Sequence, residues 1–305
     1  MADKPVIGFI GLGYMGRGMA KNLVRKGYSL EVRGNRNRAP VDELVAMGAI
    51  EAASPAAMVA ACDIIHLCLS NSPQVEAVVR GPDGLLAGAR DGVVVIDATT
   101  SDPTSTVALA GELAGVGMVL VDAPLGRTPK EAEEGTLDAM VGADDATFAR
   151  VLPVIECWAG NINRTGAVGS AHRMKLVMNF ISMGYAALYA EAMTMAVKSG
   201  LAPQTVRQVI GSSRLSNGFF ETFMRYGVGR ELEVHKFTIA NAAKDLRYAA
   251  SMAMAAGMAN PVGAAIRNSF AQAEASGHAG DYVGALSDLT AALNGLDLAA
   301  AVAKG

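Results

Sequence analysis

Residues 8–18 read GFIGLGYMGRG, and the β-rich run 6–10, VIGFI, leads straight into them. Gly11, Gly13 and Gly16 form G-x-G-x-x-G. Between a strand and a helix each glycine has its own task. The first allows a tight turn, the second lets backbone approach a pyrophosphate, and the third lets helix and strand pack closely. The stretch 14–26 that follows is small-residue and basic and stops at Gly27, as a helix does. Its N-terminus offers N–H groups and a partial positive charge to an anion. Outward from this loop, short apolar runs recur at 30–32, 64–69, 93–96, 118–121 and 137–141, with a helix-like stretch at 41–47. Runs of this kind alternating with helical patterns mean parallel strands buried on both faces and joined by crossover helices. The expected fold over 1–166 is an α/β, Rossmann-type doubly wound domain.

The pattern changes after residue 166. Residues 170–199 are rich in Met, Ala, Leu and Glu and contain no proline. A helix of that length spans about 45 Å and suits an interdomain link. The rest of 167–305 is helical in type, with breaks near 227–229, 260–261 and 277–280, so an all-α C-terminal domain is expected. Two domains also agree with a chain of 305 residues. With 51% hydrophobic and 18% charged residues the chain is not a disordered one. A net charge of −3 argues against a general nucleic-acid binder. Cys62, Cys68 and Cys157 form no C-x-x-C pair, which points to a reducing, cytoplasmic setting. The uncharged run 176–190 is shorter than the roughly 20 residues of a membrane span, and the start MADKPVIGFIG is unlike a leader, so no membrane segment is expected. The histidines at 66, 172, 235 and 278 have no metal-ligand spacing, and no metal is expected.

Cofactor choice is written where the second strand ends. There the sequence reads Arg33, Gly34, Asn35, Arg36, Asn37, Arg38, without a carboxylate; Glu31 lies inside the strand. An acidic residue at this place holds the ribose hydroxyls of NAD, whereas guanidinium groups bind a 2′-phosphate through paired hydrogen bonds. NADP is therefore expected, with NAD as the alternative and a solvated basic loop as the bland reading. The expected cofactor contacts are Gly11, Leu12, Gly13, Tyr14, Met15, Gly16, Asn35 and Arg36.

Lys175 and Asn179 are one helical turn apart within the apolar segment LVMNFISMGYAAL and the residues before it. A lysine in such surroundings is able to give a proton to a carbonyl oxygen or take one from an alcohol. By spacing alone it also reads as a surface lysine whose stem covers apolar neighbours.

Four motifs in order change that balance. GFIGLGYMGRGMAKNL, the stretch 122–142 (DAPLGRTPKEAEEGTLDAMVG), the stretch 169–180 (GSAHRMKLVMNF) and AKDL at 243–246 together resemble the β-hydroxyacid dehydrogenase family over nearly the whole chain. That family includes 3-hydroxyisobutyrate dehydrogenase and semialdehyde reductases. The resemblance implies that Lys175 is the catalytic acid/base and that Asn179 orients the substrate. It implies that Lys244 approaches the cofactor with Asp245 in support, that Thr100 lies near the nicotinamide, and that Leu69 and Ser70 line the cofactor. The implied reaction is hydride transfer between the nicotinamide and a small carbonyl or alcohol carbon.

The family's substrate loop commonly reads D-x-P-V-S-G-G; here it is DAPLGRT, so Gly126 stands for the serine and Arg127 and Thr128 for the glycines. This variant is similar to that of sulfolactaldehyde reductases. It makes Gly126, Arg127 and Thr128 the expected substrate contacts, with Arg127 on a carboxylate or sulfonate. The catalytic helix departs too, with Ala171 for a usual glycine and Met178 for a usual asparagine, which weighs against a sulfonate. The expected partner is a small anionic aldehyde or hydroxyacid, and the apolar helical half suggests a homodimer or homotetramer. Asn217 and Phe220 are further expected substrate contacts, His172 is more readily a core or surface residue than a catalytic one, and Trp158 is expected to be structural. The competing readings are reduction of an imine or other carbonyl analogue on the same scaffold, and a non-catalytic NADP-binding module.

Overall fold

The computed structural model describes residues 4–305. Its first half alternates strand and helix: β1 (Ile7–Ile10), α1 (Gly16–Arg25), β2 (Leu30–Arg33), α2 (Ala39–Ala46), β3 (Ile50–Glu51), α3 (Pro55–Ala61), β4 (Ile64–Leu67), α4 (Ser72–Arg80), β5 (Val94–Asp97), α5 (Pro103–Ala114) and β6 (Val119–Asp122). Then come β7 (Leu125–Gly126), α6 (Pro129–Glu134), β8 (Leu137–Gly142), α7 (Asp145–Ile155) and β9 (Ala159–Gly166). The sheet order is β3-β2-β1-β4-β5-β6-β8-β7, with β9 paired to β8. From β3 through β6 every neighbouring pair is parallel.

The continuous apolar runs are explained by burial on both faces. Ile7, Phe9, Ile64, Val94, Ile96 and Val121 point into one core with Met19 and Leu23 of α1. Ile10, Ile65, Leu67, Val93, Val95 and Leu120 fill the other, with Val75 and Val79 of α4. The parallel expectation needs one correction, at 137–141. β8 runs antiparallel to β6 and β7, and parallel only to β9. The segment from β6 to β8 includes α6 and turns back on itself instead of crossing over the sheet. Three strands had no apolar run to announce them. β3 and β7 have two residues each, and β9, AGNINRTG, is largely polar and exposed.

The second half is helical: α8 (Ser170–Lys198), α9 (Pro203–Gly211), α10 (Gly218–Gly227), α11 (Ile239–Ala255), α12 (Pro261–Ala273), α13 (Leu286–Leu293) and α14 (Leu298–Lys304). Its core joins Met183, Ala186, Ala190 and Met193 of α8 to Phe220, Ile239, Leu246, Phe270 and Leu286. The chain divides into two compact units, one running to Lys175 and the other from Leu176 to Gly305. This division falls inside α8, whose first turn is bonded to the end of β6. By length and composition α8 is able to cross a membrane, yet several of its apolar side chains are buried in the helical core, as in an ordinary core helix.

Candidate active site

The strand order reverses direction between β1 and β4, and in this class of fold ligands bind outside the C-terminal ends of the strands at such a point. Gly11 has φ of +100°, and a Cβ there would run into the Cys68 carbonyl after β4. A Cβ on Gly16 would strike the Gly11 carbonyl, so these two glycines are demanded by the chain's own packing. Gly13 differs: a Cβ there would meet nothing within 4 Å, and the residue is exposed. The loop is open at the glycine which, in this motif, lets backbone approach a pyrophosphate. Helix α1 has no side-chain N-cap and no acidic residue in its first turn, whereas α3, α4, α5 and α7 carry side-chain caps. An uncapped helix start behind an open glycine fits a dinucleotide phosphate. Leu12 is buried and Tyr14 exposed, while Met15 is half-buried beside the core.

The three arginines after β2 are not equivalent. Arg33 donates to the carbonyls of Ala52 at 3.1 Å and Ala53 at 2.6 Å. Arg38 pairs with Glu51 at 2.5 Å and Asp42 at 3.4 Å. Arg36 is exposed and, among the described residues, has no hydrogen bond or ion pair; Asn35 beside it is exposed too.

Around β4 and β5 the loops are tied together from below. Leu69 N–H donates to Thr99 Oγ1 at 3.0 Å, and Ser70 N–H to Gln74 Oε1 at 3.2 Å. Asp97, fully buried at the end of β5, accepts from Thr99 N–H at 2.9 Å and Ser101 Oγ at 3.0 Å. Burial pushes its carboxyl above the ordinary range, against the opposing pull of His172. Thr100 is half-buried between these two donors.

The loop after β6 is held by a short antiparallel pairing, Leu125 with Ala139 and Gly126 with Asp138. Arg127 then takes φ of +77°, a region that favours glycine, and its Nε lies 3.0 Å from Asp138 Oδ2. A charged side chain is thus carried on a backbone shape that favours glycine. Thr128 caps α6: its hydroxyl bonds Glu131 at 2.5 Å and its N–H bonds the same carboxylate at 3.0 Å, a capping box. That hydroxyl serves the helix.

Helix α8 starts on Asp122, a buried carboxylate at the end of β6. Its two oxygens accept from Gly169 N–H at 2.7 Å and His172 N–H at 2.8 Å. Gly142 has to be glycine, because a Cβ there would collide with this carboxylate. His172 is buried beside Thr106, and Lys175, half-buried, follows three residues later. In the helical unit Asn179 donates to Asp245 at 2.6 Å, and Lys244 Nζ lies 3.1 Å from the other oxygen of Asp245 and over the Tyr248 ring. AKDL thus holds the asparagine of α8 through Asp245. Asn217 and Phe220 do not fit as substrate contacts. Asn217 Oδ1 caps α10 by accepting from Phe220 N–H at 2.9 Å, its amide group donates to Tyr189, and the Phe220 ring is fully buried. Asp97 and Asp122 are the residues that sequence reasoning passed over. The only signal was a carboxylate at the end of each of two apolar runs.

An open glycine loop on an uncapped helix, at the reversal point of a doubly wound sheet, defines a dinucleotide-binding protein. The family model described as the NAD binding domain of 6-phosphogluconate dehydrogenase matches residues 6–167. The model described as NAD-binding of NADP-dependent 3-hydroxyisobutyrate dehydrogenase matches residues 169–289. The chain is 33% identical to 2-hydroxy-3-oxopropionate reductase of Escherichia coli, over 89% of this chain and 92% of that protein. It is 32% identical to 3-sulfolactaldehyde reductase of the same organism, over 89% and 91%. The solved 3-hydroxyisobutyrate dehydrogenase of Mycobacterium tuberculosis with L-serine superposes with a TM-score of 0.84 at 28% identity, over 93% of this chain and 98% of that one. The chain belongs to the β-hydroxyacid dehydrogenase family, and this membership supports an NAD(P)-dependent oxidoreductase.

Proposed function

We propose that this chain is an NADP-preferring enzyme that interconverts a small anionic semialdehyde and the corresponding hydroxyacid, with Lys175 as the acid/base. The observation that carries this reading is the anchoring of the first turn of α8. Asp122 fixes it to the C-terminal end of β6, on the edge of the sheet at which ligands bind in this class of fold. Lys175 follows His172 by three residues on the same helix.

A nicotinamide dinucleotide held by the loop 11–16 and the β4 and β5 loops would supply a hydride to the carbonyl carbon or remove one from the alcohol carbon. In the reducing direction the carbonyl π pair moves to oxygen, and the Lys175 ammonium gives that oxygen its proton. In the oxidising direction the neutral amine takes the hydroxyl proton as the hydride leaves. Asn179, oriented by Asp245, holds the substrate beside Lys175. Of the three arginines after β2, Arg36 has no hydrogen bond or ion pair among the described residues, which suits a 2′-phosphate. Arg127 engages Asp138 through Nε, which leaves the Nη1/Nη2 end of the guanidinium for a carboxylate or sulfonate. We also infer a homo-oligomer, supported by the exposed apolar side chains Val177, Ile181, Leu188 and Met195, which recur at helical spacing along α8.

Lys175→Ala tests the central role. Turnover of C2–C4 semialdehydes with NADPH is expected to fall about 10²- to 10⁴-fold, with nucleotide affinity retained in a fluorescence titration. Near-normal turnover removes Lys175 from the reaction.

A further inference from the structure

We propose that Asp122 is the positioning residue for Lys175: its buried carboxylate does both halves of the capping of α8, and Gly142 keeps the space it needs. The positioning role rests on the acid/base reading of Lys175; the capping stands on the geometry of Asp122 itself.

In a capping box the residue before a helix accepts the N–H three positions on, and the side chain at that third position accepts the N–H of the first. Helix α8 begins at Ser170, so these two N–H groups belong to Gly169 and His172. Gly169 has no side chain and takes a φ of +86°. The His172 ring is turned to Thr106 of α5, with 2.7 Å between Nδ1 and Oγ1. Neither residue caps the other. Instead Asp122 Oδ1 accepts from Gly169 N–H at 2.7 Å and Asp122 Oδ2 from His172 N–H at 2.8 Å. Asp122 is 0% exposed. One carboxylate, 47 and 50 positions back in the chain, thus does what two side chains do in a local cap.

The difference is mechanical. A local cap fixes where a helix starts; a cap that comes from a strand also fixes where the helix stands relative to that strand. Asp122 pairs in register with Asp97 of β5 on one side and Gly142 of β8 on the other, so its backbone is held from both. Bonds from a helix's first N–H groups to a carboxylate are strengthened by the charge and by the helix dipole. Lys175 lies on the same unbroken helix, about 4.5 Å of axial rise beyond His172. The loop that follows Asp122 carries Gly126, Arg127 and Thr128. One residue therefore stands at the root of both the proposed proton donor and the proposed anion contact. Gly142 belongs to the same device: a Cβ there would collide with Asp122 Oδ1 and Cγ, and would lie 2.9 Å from the Ala167 carbonyl. Reacting groups displaced by about 1 Å lose rate by about 100-fold, so the hold on α8 is felt in turnover.

The test uses the full chain. In hydrogen exchange followed by ¹⁵N NMR, the Gly169 and His172 amides are expected to be protected. Asp122→Asn is expected to speed both by at least about 10-fold while the amides of β1 and β4 keep their rates. Fast exchange of both amides in the unsubstituted protein overturns the cap, whether or not any variant folds; equal protection in Asp122→Asn overturns it too. In turnover of C2–C4 semialdehydes, Asp122→Asn is expected to lower kcat about 10- to 100-fold while the Kd for NADPH stays within about twofold. Gly142→Ala displaces the carboxylate without removing it and is expected to show the same split. Added to Asp122→Ala, it is expected to cost less than about threefold more, because the two act through one group. Unchanged kcat in Asp122→Asn and Gly142→Ala, or kcat and nucleotide affinity falling together, overturns the positioning role. Fully additive losses overturn the part given to Gly142. Lys175→Ala is measured alongside: if it stays active, the acid/base reading fails, while the exchange rates still decide whether Asp122 holds the start of α8.

Discussion

At the scale of single residues, selectivity rests on which charges the fold has already used. Arg33 is bound to two backbone carbonyls and Arg38 to Glu51, and Arg36 is the arginine of this loop that we propose for a nucleotide 2′-phosphate. Arg36→Glu is expected to weaken NADPH binding about 10- to 100-fold, the range for lost charged hydrogen bonds, with NADH changed by no more than about threefold. Titration of both nucleotides by fluorescence measures this; equal losses retire the argument. Arg127 sits in a glycine-like conformation, exposed, with its Nε on Asp138. Arg127→Ala is expected to raise KM for anionic aldehydes about 10-fold more than for neutral ones. A constant ratio across steady-state assays of the two classes ends its role as an anion contact.

At the scale of elements, α8 carries the most meaning. Its start is bonded to strands, its middle is packed in the helical core, and a second face is apolar and open. Leu188 is 61% exposed and Met195 68%, too large a contiguous stripe for a helix that meets only water. A second copy of the chain is the occupant we propose. Light scattering at micromolar concentration is expected to report a dimer or larger species, and Leu188→Glu to shift it toward monomer. A monomeric unsubstituted chain contradicts this. The run 170–199 already showed the helix in sequence. It could not show that Asp122, far back in the chain, is what caps it, because a cap from another element leaves no local pattern.

At the scale of the whole molecule, one buried group couples folding to pH. His66 stacks on Phe9 and meets Trp158 edge-on inside the core of the first unit. Burial pushes its imidazole down to about 3 from an ordinary 6.5. The folded chain leaves it neutral while the unfolded chain protonates it below about pH 6.5. Its contribution is therefore fully present above that pH and is lost as pH falls through the window from 6.5 to 3. Between pH 6.5 and pH 5 the loss amounts to about 2 kcal/mol. In urea unfolding, His66→Phe is expected to lose less stability over that interval than the unsubstituted chain. Parallel losses would show that His66 is not the source.

The glycine loop, the crossover strands, the long helix and the family's motifs were all legible from residues close together in sequence, because each depends on backbone conformation or on a local hydrophobic period. The partners of the site were not. That Arg36 and not Arg33 or Arg38 is unpaired, that Asp122 caps α8, that Asp97 faces His172, that Asp245 holds Asn179, and that Asn217 is a cap follow from strand register and helix packing. These bring together residues far apart in the chain, such as Asn179 and Asp245, 66 positions apart. Hydrogen bonds and ion pairs act over a few ångströms of space and are blind to chain separation, so only the folded chain decides them.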